Sequence, residues 1–289
     1  MVLDMLRSGS MLSGNSFSEM RANMEAATTS LPLPADVAYE AVDAGGVPAE
    51  WAVAPGARRD RVIVYFHGGG YCIGSIKTHR LLVAELSRAC AARVLSVDYR
   101  LAPEDPHPAA VDDAVAAYNF VRSAGVTAPH IALAGDSAGG GLVAATLIAL
   151  RDAGTALPAA GVCLSPWVDL TMAGASMTSK AAADPMVQRE HLEKYARAYA
   201  GRNCTAPTVS PLFADLRGLS PLLLHVGTAE TLLDDSTRFA ERLTAAGVSV
   251  ELRVFDEMIH VWHAFSFILP EARAAIEEIG AFVRQRLGA

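Results

Sequence analysis

Ile131-Ala132-Leu133-Ala134-Gly135-Asp136-Ser137-Ala138-Gly139-Gly140 is a short apolar run ending in a G-x-S-x-G pentapeptide, and from Gly140 the chain takes on a helical period. Small residues on both sides of Ser137 allow a strained strand-to-helix turn that lifts a serine hydroxyl clear of the backbone, as a nucleophile requires. With 23 Gly in the chain, a bare G-x-S-x-G arises by chance in about one such sequence in eight. The competing reading is an ordinary tight turn. What favours the nucleophile is the placement of the pentapeptide between a strand and a helix.

Comparable apolar runs lie on either side, at 61–66 and 94–97 upstream and at 161–164, 221–226 and 250–255 downstream. Nearly continuous apolar strands belong in a sheet covered on both faces. Segments of helical period separate them, at 79–91, 109–124, 140–153 and 236–246, with a terminal helix from Pro270. Alternating strands and helices with right-handed crossovers give a mostly parallel α/β sheet flanked by helices. Two short strands at 37–42 and 48–53, joined through Asp43-Ala44-Gly45-Gly46, have hairpin chemistry and are expected to run antiparallel at its start. The sheet then has about eight strands.

One interval breaks this rhythm. About 55 residues separate Ser165 from Pro221, far more than a strand–helix unit needs. A helical stretch at 188–200 falls inside it. This insertion, about 170–215, together with the N-terminal segment 1–36, is expected to form a helical cap over the carboxyl edge of a single domain spanning 1–289. The sequence contains no internal repeat and no low-complexity segment.

Composition bounds the functional classes. A chain of 289 residues that is 52% hydrophobic and 19% charged is a folded globular protein. A net charge of −7 lacks the basic face that nucleic acid or an anionic membrane requires. Cys72, Cys90, Cys163 and Cys204 are widely spaced, with no C-x-x-C pair and no histidines at zinc spacing, so the expectation is a reduced, cytoplasmic protein without metal. The segment Met1-Val2-Leu3-Asp4-Met5-Leu6-Arg7 does not read as a signal peptide, and no apolar run is long enough to span a membrane. Cys72, beside a glycine run, reads as a small apolar residue rather than a nucleophile.

That glycine run is His67-Gly68-Gly69-Gly70, directly after the strand ending at Phe66. Successive glycines let the backbone approach a ligand and turn N–H groups inward. A tetrahedral intermediate needs such donors at its developing oxyanion, each contributing about 3 kcal/mol to lowering the barrier. The N–H groups of Gly69, Gly70 and Ala138 are the candidates. A phosphate cradle is the alternative, but neither glycine-rich phosphate pattern occurs here. A base for the serine is found in Phe255-Asp256-Glu257-Met258-Ile259-His260-Val261-Trp262-His263, after the last strand and at the edge where ligands bind. His260 emerges first and is the candidate, with His263 as its packing or hydrogen-bonding neighbour. A carboxylate that orients the imidazole should come after the strand at 221–226. Glu230, Asp234 and Asp235 all qualify, periodicity does not choose among them, and any of them can instead be helix N-terminal charge.

Taken together, the chain resembles the bacterial hormone-sensitive-lipase family of esterases, within the α/β-hydrolase superfamily. The matching motifs are His67-Gly68-Gly69-Gly70-Tyr71 with Gly74-Ser75, Asp98-Tyr99-Arg100-Leu101-Ala102-Pro103-Glu104, Gly135-Asp136-Ser137-Ala138-Gly139-Gly140, Ser165-Pro166-Trp167 and the His260 region, covering about 35–285. The family's third motif reads D-P-L-R-D-E with its first Asp in the triad. Here Glu230-Thr231-Leu232-Leu233-Asp234-Asp235 stands in its place, so the resemblance implies Glu230 as the acid, with Asp234 next. It also implies an α/β-hydrolase fold, a structural role for 98–104, a bracing role for Asp136, and a cap from the N-terminus and the insertion. Implied too are short- to medium-chain carboxylic esters as small-molecule substrates, no cofactor, and pairing as a homodimer through the edge of the last strand, 248–255.

The expected chemistry is two-step acyl transfer through Ser137 and His260. An amidase or peptidase can use the same triad. A non-catalytic receptor on this fold typically lacks a triad member, whereas none is missing here. A lipase acting at lipid interfaces would need a broad apolar lid, and the insertion, with Lys180, Asp184, Arg189 and Glu190, is too polar for that.

Overall fold

The computed structural model describes residues 14–29 and 31–288. The expected N-terminal cap segment is therefore seen in part, since 1–13 and Ser30 lie outside the described residues.

Among the described residues, eight strands form one sheet in the order β1-β2-β4-β3-β5-β6-β7-β8. They are β1 (Ala38–Asp43), β2 (Pro48–Val53), β3 (Arg58–Phe66), β4 (Ala92–Val97), β5 (Ile131–Asp136), β6 (Ala160–Leu164), β7 (Leu222–Gly227) and β8 (Val250–Phe255). As expected from the hairpin chemistry, β1 and β2 run antiparallel, and β2 runs antiparallel to β4. The Gly46 N–H donates to Asp43 Oδ1 at 2.6 Å within their turn. Pairing from β4 through β8 is parallel throughout.

The helices are α1 (Phe17–Thr29), α2 (Ile76–Cys90), α3 (Ala109–Ser123), α4 (Ala138–Asp152), the short α5 (Ser176–Ser179), α6 (Arg189–Ala200), α7 (Leu233–Ala245) and α8 (Pro270–Arg286). Side chains alternate across a strand, and that alternation sorts the core into two clusters. Val62, Val64, Phe66, Leu133 and Leu224 pack with α3, α4 and α7 on one face. Ile63, Tyr65, Ala132, Ala134 and Leu223 pack with α2 and α8 on the other. Helix α4 is apolar on nearly every side because it is buried all round.

Three helices begin earlier than the apolar period alone indicates, and polar side chains explain two of them. Helix α2 starts at Ile76 because the Thr78 hydroxyl accepts the Ser75 N–H at 2.9 Å. Helix α7 starts at Leu233, which takes Asp234 and Asp235 into its first turn, where acidic residues oppose the helix dipole favourably. Helix α4 starts at Ala138, immediately after Ser137, so the turn out of β5 is sharper than a helix from Gly140 would require.

Parallel strands all point their carboxyl ends the same way. That edge therefore gathers the residues just beyond β3 (His67 to Gly70), β5 (Ser137), β6 (Ser165), β7 (Glu230) and β8 (His260). The long interval between β6 and β7 holds α5 and α6.

Candidate active site

Ser137 sits between β5 and α4 with φ 53° and ψ −120°, a region that costs a non-glycine residue about 1–3 kcal/mol. Three backbone bonds hold it there. Its N–H donates to Leu164 O at 2.8 Å, and its carbonyl accepts from Trp167 N–H at 2.9 Å and Gly141 N–H at 3.1 Å. The elbow can be this tight only because its flanks lack side chains: a Cβ on Gly139 would overlap the backbone carbonyl oxygens of Phe66 and His67.

His260 lies four residues beyond the β8-proximal Asp256 and is buried at 4% exposure. Its Nδ1 stands 2.9 Å from Glu230 Oε2, leaving Nε2 as the nitrogen able to take a proton from a serine. Burial alone would depress the imidazole pKa, but the hydrogen bond and charge of Glu230, with Asp184 and Asp136 further off, raise it above the usual 6.5. Glu230 is fully buried. Its other oxygen, Oε1, accepts the Gly227 N–H at 2.7 Å and the Ser165 hydroxyl at 2.8 Å. The remaining two carboxylates are engaged elsewhere. Asp234 Oδ2 accepts the Ser176 N–H at 3.0 Å, while Asp235 Oδ2 accepts the Val168 and Asp169 N–H groups, each at 2.9 Å. His263 pairs instead with His225, its Nε2 at 3.2 Å from His225 Nδ1.

The glycine loop is held from below by Asp136. Oδ1 accepts the Tyr65 hydroxyl at 2.5 Å and the Gly68 N–H at 3.0 Å, and Oδ2 stands 3.4 Å from His79 Nε2. Asp136 is thus a buried brace rather than a surface carboxylate. Burial works against its charge, but His79 and the Tyr65 hydroxyl outweigh it and hold the carboxyl below its usual range. Gly70 has φ 61°, and a Cβ there would run into the Tyr195 ring. His67 Nδ1 meets Gly68 O at 2.7 Å. Burial, with His79 nearby, depresses His67 to about 3, so it stays neutral. Tyr99, from the 98–104 segment, stacks on His67 at 4.4 Å and donates its hydroxyl to His67 O at 2.7 Å. Ala138, as the first residue of α4, carries a first-turn N–H that the helix itself does not use.

Ser137, His260, Gly68, Gly69 and Gly70 line a single cavity of about 230 Å³. Its outer wall comes from α1 through Met24, Ala27 and Thr28, and from the interval after β6 through Met186, Val187, Leu192 and Tyr195. Cys72 is buried, and burial pushes its thiol up to about 12, which makes it inert. Among the described residues, no group of three His, Cys, Asp or Glu side chains has the geometry of a metal site.

Sequence reasoning assigns no site role to His79 or Asp184. His79 lies on the buried stripe of α2 with Leu82 and Leu86, and a lone histidine on an apolar stripe is the signal that it has a buried partner. Asp184 accepts the Thr231 N–H at 2.8 Å through Oδ2 and the Met186 and Val187 N–H groups through Oδ1, so it ties the segment carrying Glu230 to the cavity wall. It falls in an aperiodic stretch, where no sequence pattern marks it.

Comparison with known proteins identifies the family. Residues 63–264 match the model of the alpha/beta hydrolase fold family. An acetyl-hydrolase of Streptomyces hygroscopicus is 46% identical over 88% of this chain and 84% of its own length. The carboxylesterase NlhH of Mycobacterium tuberculosis is 37% identical over 74% of this chain and 70% of its own. A crystal structure of an esterase from the bacterial hormone-sensitive lipase family superposes with a TM-score of 0.97 at 50% identity, over 99% of this chain and 97% of that one. With the serine elbow, the glycine loop and the buried imidazole–carboxylate pair at one sheet edge, the chain belongs to the alpha/beta hydrolase fold family and, within it, to the bacterial hormone-sensitive-lipase family of esterases.

Proposed function

We propose that this carboxylic ester hydrolase works through Ser137 as nucleophile, His260 as general base and acid, and Glu230 as the acid that orients the imidazole and stabilises its charged form. The observation that carries the reading is the 2.9 Å bond between His260 Nδ1 and the accepting Glu230 Oε2, with His260 and the strained Ser137 lining the same cavity. His260 Nε2 takes the Ser137 proton as Oγ attacks the ester carbonyl. The oxyanion is received by the N–H groups of Gly69, Gly70 and Ala138. His260 then protonates the leaving alcohol, an acyl-serine forms, and water deprotonated by the same imidazole releases the acid.

A cavity of about 230 Å³ is below the ~300–1,000 Å³ of drug-sized ligand sites, which favours short to medium acyl chains. The acetyl-hydrolase name of the Streptomyces relative points the same way. We read α1 and the interval holding α5 and α6 as the cap of a one-domain enzyme, since both wall the cavity above Ser137. Four unpaired cysteines fit a reducing, cytoplasmic setting, and among the described residues no helix is long and apolar enough to cross a membrane. For assembly, β8 is one of the two edge strands of the sheet, β1 being the other. Antiparallel pairing of two copies about Leu252 sets Glu251 opposite the Arg253 of the second copy, and Val250 opposite its Val254, so the edge is complementary to itself.

The test is hydrolysis of p-nitrophenyl butyrate and of the matched anilide by the wild type and by Ser137→Ala. The reading requires ester turnover by the wild type and its loss in the variant. An anilide cleaved faster than the ester would make the enzyme an amidase instead.

A further inference from the structure

Ser165, the first residue after β6, reaches both partners of the nucleophile with one hydroxyl. Its O–H donates to Glu230 Oε1 at 2.8 Å, and the same oxygen accepts the Val261 N–H, adjacent to His260, at 3.1 Å. Ser165 is fully buried, so water does not compete for either bond. Its own N–H donates to His225 O at 2.7 Å, which anchors it to β7.

The backbone at Ser165 is unusual. It has φ 46°, a conformation L residues rarely hold without compensation, and Val261 on the other side of the bond has φ 48°. Two positive-φ residues facing each other across one hydrogen bond are over-determined by their surroundings, the condition under which strain persists. In this position the Ser165 Oγ bridges the loop after β7 to the loop after β8. Nearer the strand ends these loops are also joined by Thr228, whose hydroxyl donates to Asp256 Oδ1 at 3.0 Å and accepts the Glu257 N–H at 2.8 Å, and by the Ala229 N–H to Met258 O bond at 3.0 Å. At the level of the acid and the base, the Ser165 hydroxyl acts beside the Glu230–His260 contact itself.

We propose that Ser165 is a positioning residue for catalysis: its hydroxyl fixes the plane of the Glu230 carboxylate and the backbone of His260 at once, holding acid and base in register without touching substrate. The proposal rests on the Ser137–His260–Glu230 reading. Gly227 N–H already binds Glu230 Oε1 at 2.7 Å, so the carboxylate stays anchored at one point when the hydroxyl is lost. What disappears is the second point, which sets the rotation of the carboxylate and the link to His260. Misplacement of a catalytic group by about 1 Å lowers turnover by about 100-fold, whereas the acyl-binding wall of Met24, Leu82, Val187 and Phe265 is not involved.

Three variants separate positioning from fold support. Ser165→Gly relieves the positive φ and removes the hydroxyl, Ser165→Ala removes the hydroxyl alone, and Ser165→Thr keeps a hydroxyl while adding strain. For p-nitrophenyl butyrate the Gly and Ala enzymes should lose about 10- to 100-fold in kcat, with KM within about twofold of wild type. The Gly enzyme should do so without a fall in Tm, and the Thr enzyme should recover most of the rate despite a lower Tm. A Gly enzyme with wild-type kcat, or a loss of rate that tracks Tm across all three, overturns the proposal while leaving the serine-esterase reading intact. A Ser137→Ala enzyme as active as wild type overturns that reading, and this proposal with it.

Discussion

At the residue scale the proposed mechanism makes the Glu230–His260 bond set both rate and pH response. Because Glu230 outweighs burial and raises the His260 pKa above 6.5, and because a base must be neutral to accept a proton, kcat/KM should climb with pH through a value above that of free imidazole. Glu230→Gln removes the charge and offers the wrong hydrogen-bonding group to Nδ1. It should lower kcat on the order of 10⁴-fold and shift the acid limb of the pH profile downward, whereas Glu230→Asp keeps the charge and should lose less. An unchanged acid limb in the Gln enzyme would remove Glu230 from the site. Stability runs the other way: a histidine whose folded pKa is raised contributes stability that is complete below the unfolded pKa and is lost as pH rises through the folded value. Chemical denaturation of the wild type from pH 6 to 9 should therefore register that contribution fading just as activity appears. Gly139 is equally exacting. Its absent Cβ would meet backbone oxygens, which cannot rotate away, so Gly139→Ala should cost several kcal/mol, of order 3 or more, read as a large fall in Tm or as insoluble protein.

At the element scale α1 matters because its Arg21 ties it to the end of the glycine loop and to the 98–104 segment. Arg21 donates from Nε to Cys72 O at 2.7 Å and from one guanidinium nitrogen to Ala102 O at 2.8 Å, and it pairs in bidentate fashion with Glu104. Glu104 is half-exposed, so the ion pair itself adds little, about 0–1 kcal/mol; the two carbonyl bonds carry the attachment. Met24, Ala27 and Thr28 of the same helix wall the cavity. Arg21→Ala should raise KM for the butyrate ester about fivefold, corresponding to about 1 kcal/mol, while kcat stays near wild type and Tm falls by about 2–4 °C. A large loss of kcat with constant KM would mean that Arg21 acts on the oxyanion loop rather than on the wall. The α7 boundary carries a related lesson. Its apolar stripe of Phe239, Ala240 and Leu243 is legible in the sequence, but its start depends on two aspartates whose partners, Ser176 and the Val168–Asp169 backbone, are about 60 residues away in the chain. Periodicity therefore leaves Glu230, Asp234 and Asp235 on an equal footing, and only the folded chain separates them.

At the scale of the whole molecule, the strand and helix order was readable because each strand of the parallel core is an unbroken apolar run and each gap but one is the length of a helix. The elbow at 135–139, the glycine loop and the histidine after β8 were readable because each is a local pattern next to a strand end. The His79–Asp136 pair, the Asp184 tether and the Ser165 bridge were not, since each joins residues from distant parts of the chain that only the sheet edge brings together. The same architecture leaves β8 open at one side, with Val254 among the exposed large apolar side chains. If two copies pair there, Arg253→Glu sets like charges opposite each other, and light scattering should find a wild-type dimer and a monomeric variant. A wild type that is monomeric at micromolar concentration would refute the pairing. The central claim is that ester hydrolysis proceeds through an acyl group carried on Ser137, and the most direct measurement is mass spectrometry of enzyme acid-quenched during turnover of p-nitrophenyl butyrate. The account predicts a butyryl adduct on the peptide bearing Ser137, absent from the Ser137→Ala enzyme. An active enzyme whose adduct sits on another residue, or an adduct that persists in the variant, would contradict it.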